Sequence, residues 1–356
     1  MMIRRQAIIL GYAATFLFSA GLLAQQAAPQ QRKTTDAEKK EILTVVKIVD
    51  DAAAGTATPN EVSLAWVSDD LLKAQGNKQY VPFNISVDPA KIAGGKLSLY
   101  WRVVSKDPAA AAPAAAPANG KKDDKKPAGK PEYAYEDLNL ITIPSGQTAP
   151  MRVSRSFTVA PGAYDVFVVA KEPTPEKPKK DTPAPKVSVL KQSVTVPDLW
   201  NGELNTSSVI VAERIDPLPA PLTPQQQSER PYALGTMEIV PVPSTKFTKK
   251  AELSTFLLIY NAKTDAANKP DVSVEYNFYV KQAGGEKFFN KTQPQNLNAQ
   301  TLPPQFDFAQ GHQLQSGQAV PLASFPAGDY RLEIKIVDKI SNKTLTRDVN
   351  FSVSES

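Results

Sequence analysis

The chain has 356 residues, no cysteine and a single histidine, His312. Those counts exclude disulfide frameworks, thiolate metal sites and cysteine nucleophiles, and they leave one imidazole around which a Ser-His-Asp triad or a zinc site could be built. A composition 42% apolar and 22% charged is that of a globular protein of about two domains.

Met1 to Arg5 carries two arginines, Ala7 to Ala24 is almost continuously apolar, and Gln25-Gln26 follows. A basic start, an apolar middle and a small-residue exit predict a secretory signal peptide over 1–24, cleaved near Ala24. The alternative is an uncleaved anchor, because this apolar run reaches the lower edge of a membrane span. With no cysteine at the exit, lipid attachment is excluded. The expected location is therefore periplasmic or at the cell surface, with membrane contact only through this segment if it is retained.

One stretch reads as a helix. From Thr35 to Ala54, Thr35 and Glu38 fit a capping box, and Ile42, Val45, Val46 and Val49 recur at helical spacing. The β-branched residues there would also suit a strand, but the charged run DAEKKE leads into the apolar stripe without a turn. Beyond it the signal is mostly of period two. Val62, Leu64 and Trp66 alternate, as do Phe83, Ile85 and Val87, with Gly76-Asn77 as turn residues between them. Further strands run through Leu97, Leu99, Trp101 and Val103; through Val272, Val274, Tyr276, Phe278 and Val280; and through Tyr330, Leu332, Ile334 and Ile336. A closing strand from Leu345 to Val353 follows a turn at Ser341-Asn342-Lys343.

Three segments interrupt this pattern: residues 107–131, 171–186 and 217–231, which together hold 15 of the 31 prolines. Without amide donors at proline or any apolar face, they read as solvated, extended loops, the first two as disordered insertions and 217–231 as a proline-rich loop. The net charge of +5 resides in the signal and in the first two insertions. The remainder is close to neutral, which argues against a nucleic-acid groove.

Aligned by strand pattern, the two halves repeat. VPFNISV, LSLYWRVV, VAPGAYDVFVVAKE and VSVLKQSVTV match STFLLIYN, VSVEYNFYV, FPAGDYRLEIKIVDK and TLTRDVNFSV in order and type. In each half a glycine precedes a tyrosine by two residues at the entrance to a long strand: Gly162 and Tyr164, then Gly328 and Tyr330. Such a tyrosine folds back over the preceding corner in immunoglobulin-like sandwiches. Trp101 and Tyr276 hold similar core places on an earlier strand. The expected fold is all-β: two immunoglobulin-like β-sandwich domains in tandem, the first over 35–198 with one short N-terminal helix, the second over 199–356.

The segments LNTSSVIVAERIDPL, YALGTMEIVPVPSTKF, STFLLIYNAKTD and FPAGDYRLEIKIVDK resemble the carboxyl-terminal β-sandwich region of exported bacterial proteins of unknown function, including some attached to GWxTD-type domains. The GWxTD motif itself is absent. That resemblance implies export to a bacterial envelope and a sandwich fold, and no activity. The glycine-tyrosine corner also resembles prealbumin-like surface modules, which keeps a second strand order open.

No nucleophile elbow, P-loop, HExxH or calcium loop is present. Asp50-Asp51, Asp69-Asp70 and Asp123-Asp124 read as solvated charges and His312 as an exposed loop residue. No catalytic, metal or cofactor residue is singled out. The expected function is that of an exported, non-catalytic structural or protein-interaction module with an envelope protein or polysaccharide as partner and no nucleic acid. The alternative is a protein that binds or hydrolyses carbohydrate through an exposed sheet face.

Overall fold

The computed structural model describes residues 36–107, 133–175 and 182–355. The expected signal peptide, Thr35, Asp123-Asp124 and much of the two basic insertions lie outside the described residues. Ala27–Asp198 forms one compact unit and Leu199–Ser356 lies in a second.

Helix α1 (Asp36–Ala53) opens the first unit. Val45 and Val49, one turn apart, are both buried, and this stripe of helical period finds an apolar partner on a sheet. Burial of that face outweighs the small helix penalty of its β-branched residues. Eight strands follow: β1 (Ala65–Asp69), β2 (Leu72–Ala74), β3 (Lys78–Val87), β4 (Lys96–Ser105), β5 (Tyr135–Thr142), β6 (Met151–Val159), β7 (Gly162–Lys171) and β8 (Val187–Val196). β1 and β2 lie along one edge of β3 and β6 along the other; β5-β4-β7-β8 form the second sheet. Val81, Phe83 and Ile85 share one core with Leu97, Leu99, Trp101 and Val103. Gly76 and Asn77 take positive φ in the β2–β3 turn, the conformation that a tight hairpin needs.

One expectation about loops is refined and one is corrected. Of the segment 171–186, residues 176–181 lie outside the described residues, and its described ends are tied down: Lys171 closes β7 and is buried, its ammonium paired with Glu41 at 2.9 Å, and Glu172 N–H donates to Lys186 O at 3.0 Å. Segment 217–231 contains a short helix, introduced next.

The second unit comprises β9 (Asn205–Thr206), β10 (Ile210–Pro217), α2 (Pro224–Glu229), β11 (Ala233–Leu234), β12 (Met237–Pro241), β13 (Lys246–Thr248), β14 (Glu252–Tyr260), β15 (Val272–Gln282), β16 (Gly285–Lys291), β17 (Gln295–Leu297), β18 (Leu314–Pro321), β19 (Gly328–Asp338) and β20 (Lys343–Ser354). Helix α2 forms where an extended loop was expected, because Thr223 and Gln226 make a reciprocal capping box and Pro224 sits in the first turn, where its missing N–H costs nothing. One sheet pairs β14 with β18 on one edge and β9 and β10 on the other, and β12 and β11 extend it. The other runs β13-β20-β19-β15, with β16 and β17 along the outer edge of β15. Among the described strands, β13 alone pairs in parallel, with β20.

Apart from β11, β12 and β13, both units share one order. With the interrupted first strand of each unit counted once, and β16 and β17 likewise counted as one interrupted fourth strand, the first, second and fifth strands form one sheet and the fourth, third, sixth and seventh form the other. This is an immunoglobulin-like arrangement in which the fourth strand has moved to pair with the third. The registers coincide as well. Trp101 pairs with Val168 and Tyr276 with Ile334, each partner lying four residues past the corner tyrosine.

Candidate functional site

The residues singled out by sequence are placed as structural devices. Tyr164 Oη donates to Ala160 O at 2.9 Å and Tyr330 Oη to Pro326 O at 2.7 Å. A Cβ on Gly162 would stand 3.4 Å from the Tyr164 ring, in van der Waals contact, so the ring folds back closely over this glycine. Burial raises the pKa of both phenols. Trp101 and Tyr276 cross from the third to the fifth strand: Trp101 Nε1 donates to Ser156 O at 3.2 Å, and Tyr276 Oη lies 2.7 Å from Ser316 Oγ, which in turn donates to Gln295 Oε1.

Sequence reading missed two further repeated devices. Eight residues past each corner tyrosine stands a carboxylate. Glu172 accepts from Ala93 N at 2.6 Å and Lys186 N at 3.0 Å, and Asp338 accepts from Lys263 N at 2.9 Å and Ser341 Oγ at 2.6 Å. Ala93 and Lys263 both lie between the second and third strands, so in each unit the end of the sixth strand pins that connection. At the far end of the third strand, Lys106 donates to Ser193 at 2.8 Å and Lys281 to Asn350 at 2.7 Å. An acid at matching inward positions, Glu172 and Asp338, was the signal available in the sequence.

The two units diverge on the outer face of the four-stranded sheet. In the first, Tyr100, Phe167, Val169 and Val189 form an apolar cluster with Val45 and Val49 of α1. Ion pairs hold both ends of the helix: Glu41 to Lys171, and Asp50 to Arg102 at 2.6 Å. Asp50, though exposed, is thus also an ion-pair partner. Arg102 also donates to Tyr100 Oη at 2.9 Å, stacks on Tyr133 at 3.8 Å and is itself buried. Burial works against its charge, but the bonds to Asp50 and Tyr100 prevail and hold its pKa above the ordinary value. Tyr100 donates onward to Glu136 at 2.7 Å, and burial followed by that bond raises its pKa.

In the second unit the same face carries no helix among the described residues. Arg331 lies at its centre, with Glu286 at 2.8 Å, Glu333 at 3.2 Å, Asp348 at 2.6 Å and the Tyr279 ring at 4.5 Å. Beside this face, a groove of about 420 Å³ lies between β15, β16 and the corner before β19. Buried Tyr330 and half-buried Val280 and Phe289 line it, together with exposed Lys281, Lys287 and Phe288.

His312, expected to be exposed, is half-buried: its Nδ1 accepts from Asp307 N at 3.0 Å and its ring lies 5.8 Å from Phe306. Asp69 accepts from Trp66 Nε1 at 3.0 Å and Asp70 is buried, so neither is merely solvated. In the first sandwich, burial raises the pKa of Asp137 against the pull of the Leu138 N–H and Arg155. Among the described residues, no group of three His, Asp or Glu side chains is placed to hold a metal ion, and no helix is long and apolar enough to cross a membrane.

No family model matches the chain, and no curated protein matches it. Among solved structures, an immunoglobulin-like protein from Pseudomonas aeruginosa is 12% identical, with 41% of this chain and 97% of that one covered and a TM-score of 0.20. A Salmonella alpha-2-macroglobulin reacted with methylamine is 14% identical over 84% of this chain and 17% of its own, with a TM-score of 0.20. Red sea bream transglutaminase is 9% identical over 91% and 34%, with a TM-score of 0.18. The chain thus spans about a third of that transglutaminase and about a sixth of that macroglobulin. The fold rests on strand order, not on these scores.

Proposed function

We propose that the protein is an exported, non-catalytic interaction module of a cell envelope. The observation that carries this reading is how its charged side chains are used. Asp50, Glu41, Glu172, Asp338 and Arg331 each hold one strand, helix or loop of a sandwich to another, while a catalytic site gathers such groups around a reacting atom. The amino-terminal pattern of basic start, apolar run and small-residue exit supports export.

A second reading, carbohydrate binding or hydrolysis, draws on one feature: Phe288 is 52% exposed beside the groove, where a ring could stack on a sugar. Assays with purified residues 25–356 separate the two. The module reading expects capture of the same envelope protein in repeated pull-downs and no turnover of glycan, peptide or ester. Turnover abolished by changing one carboxylate would overturn it.

A further inference from the structure

Resting on the interaction-module reading, we propose that the groove beside β16 binds an acidic peptide segment of a partner protein, one that carries a large apolar side chain. Charge is the first argument. Lys281 and Lys287 line the groove and form no ion pair among the described residues; Lys281 donates only to the neutral Asn350. The one acid of β16, Glu286, lies opposite Lys281 and is bound by Arg331 at 2.8 Å, and the lining of the groove itself holds the two lysines and no acid. The lining therefore presents positive charge, which favours a carboxylate-bearing partner.

Shape and polarity narrow the class. At about 420 Å³ the groove sits toward the small end of ligand pockets, roughly 300–1,000 Å³, which suits one or two side chains. Its inner lining is the ring of Tyr330 with Val280 and Phe289, while Phe288 stands 5.9 Å from Tyr279 with its own ring half open to solvent. A sugar needs hydrogen-bonding partners for several hydroxyls, and the lining supplies few besides the two lysines and Gln282. An apolar side chain flanked by carboxylates matches both parts. β16 also ends its sheet, so a peptide lying there meets backbone groups that no strand of the sheet occupies.

The test is fluorescence anisotropy with the mature chain, residues 25–356, and a labelled peptide Glu-Glu-Leu-Phe-Glu-Glu. Two peptides serve as controls, Glu-Glu-Ala-Ala-Glu-Glu and Lys-Lys-Leu-Phe-Lys-Lys. Saturable binding of the first peptide alone is expected, weakened about tenfold or more by Lys281→Glu with Lys287→Glu and also by Phe288→Ala. All three positions are exposed, so an unchanged melting temperature certifies the fold. The proposal is overturned by no binding, by equal binding to the charge-reversed protein, or by equal binding of the alanine peptide. Equal competition by polygalacturonate or a single-stranded oligonucleotide would also overturn it. If these fail while envelope-protein capture is the same for wild type and the charge-reversed chain, the groove is discarded and the module reading stands. Turnover of a substrate discards the module reading independently.

Discussion

The outer face of the first sandwich presents Tyr100, Phe167, Val169 and Val189, whereas the register places Glu275, Glu333, Lys335 and Thr346 at the matching positions of the second. One backbone order thus supports two surfaces of opposite character. The apolar one is covered by α1 and the polar one stands open among the described residues. The inner faces, by contrast, are built alike, with Trp101 and Tyr276, and Tyr164 and Tyr330, in the same places. The repeat is therefore strict where strands must pack and free where a surface meets its surroundings.

The sharpest way to break this comparison is to charge the helix-covered face. Val49 is fully buried, and Val49→Asp would place an unpaired carboxylate between the helix and the sheet. A loss of about 3–5 kcal/mol is expected, confined to the first sandwich. Denaturant unfolding followed separately by tryptophan fluorescence in a Trp200→Phe background, which leaves Trp66 and Trp101 of the first sandwich, and by amide exchange of residues 272–280 checks this. An unmoved first transition would mean that α1 contributes little to stability.

The division between strict and free regions also explains what the sequence made legible. Alternation along residues 330–336 and the paired Gly-x-Tyr corners were enough to find both sandwiches and their repeat. The covered face was harder, because its signal lies in the loss of alternation: YWRVV and VFVVA run nearly continuously apolar, as strands buried on both faces do. Arg102 inside that run looked like a polar interruption, and only the fold brings it to Asp50, 52 residues away. Phe288 and the groove depend on an edge strand and a corner that are distant in sequence, so no local spacing announced them. Helix α2 was hidden by the prolines around it, although Thr223 and Gln226 carried its capping signal.

The next test compares the two carboxylates that pin the sixth strand. Asp338 is fully buried and accepts several bonds, while Glu172 is partly exposed. Asp338→Asn keeps the shape but puts donors where only acceptors fit, and a loss of about 2–3 kcal/mol from the second sandwich is expected. Glu172→Gln should cost the first sandwich about 1 kcal/mol, because water can replace part of its role. Chemical denaturation of each variant checks the ranking, and equal losses would show that burial does not set the difference.

The corners offer a matched pair with a smaller effect. Tyr164→Phe and Tyr330→Phe each retain the ring and delete one hydroxyl bonded to a backbone carbonyl, so about 1–2 kcal/mol should be lost from the corresponding sandwich. Both transitions should shift by similar amounts, since the bonds are alike in partner and length. A shift in one alone would limit the corner's role to that unit.

The smallest stability effect belongs to the most direct transplant, Glu333→Phe with Lys335→Val and Thr346→Val, which writes the first sandwich's covered face onto the second. These side chains point outward from the core. Arg331 loses its contact with Glu333 but keeps Glu286 and Asp348, and surface ion pairs contribute little. The second unfolding transition should therefore move by no more than about 0.5 kcal/mol. Solution behaviour should change far more, because three adjacent apolar groups on an uncovered sheet form the kind of patch that drives association. Sedimentation velocity should show the variant self-associating at concentrations where the parent is unchanged. If instead it sediments like the parent, an apolar outer face needs no cover, and the role of α1 would rest on its two ion pairs with Arg102 and Lys171.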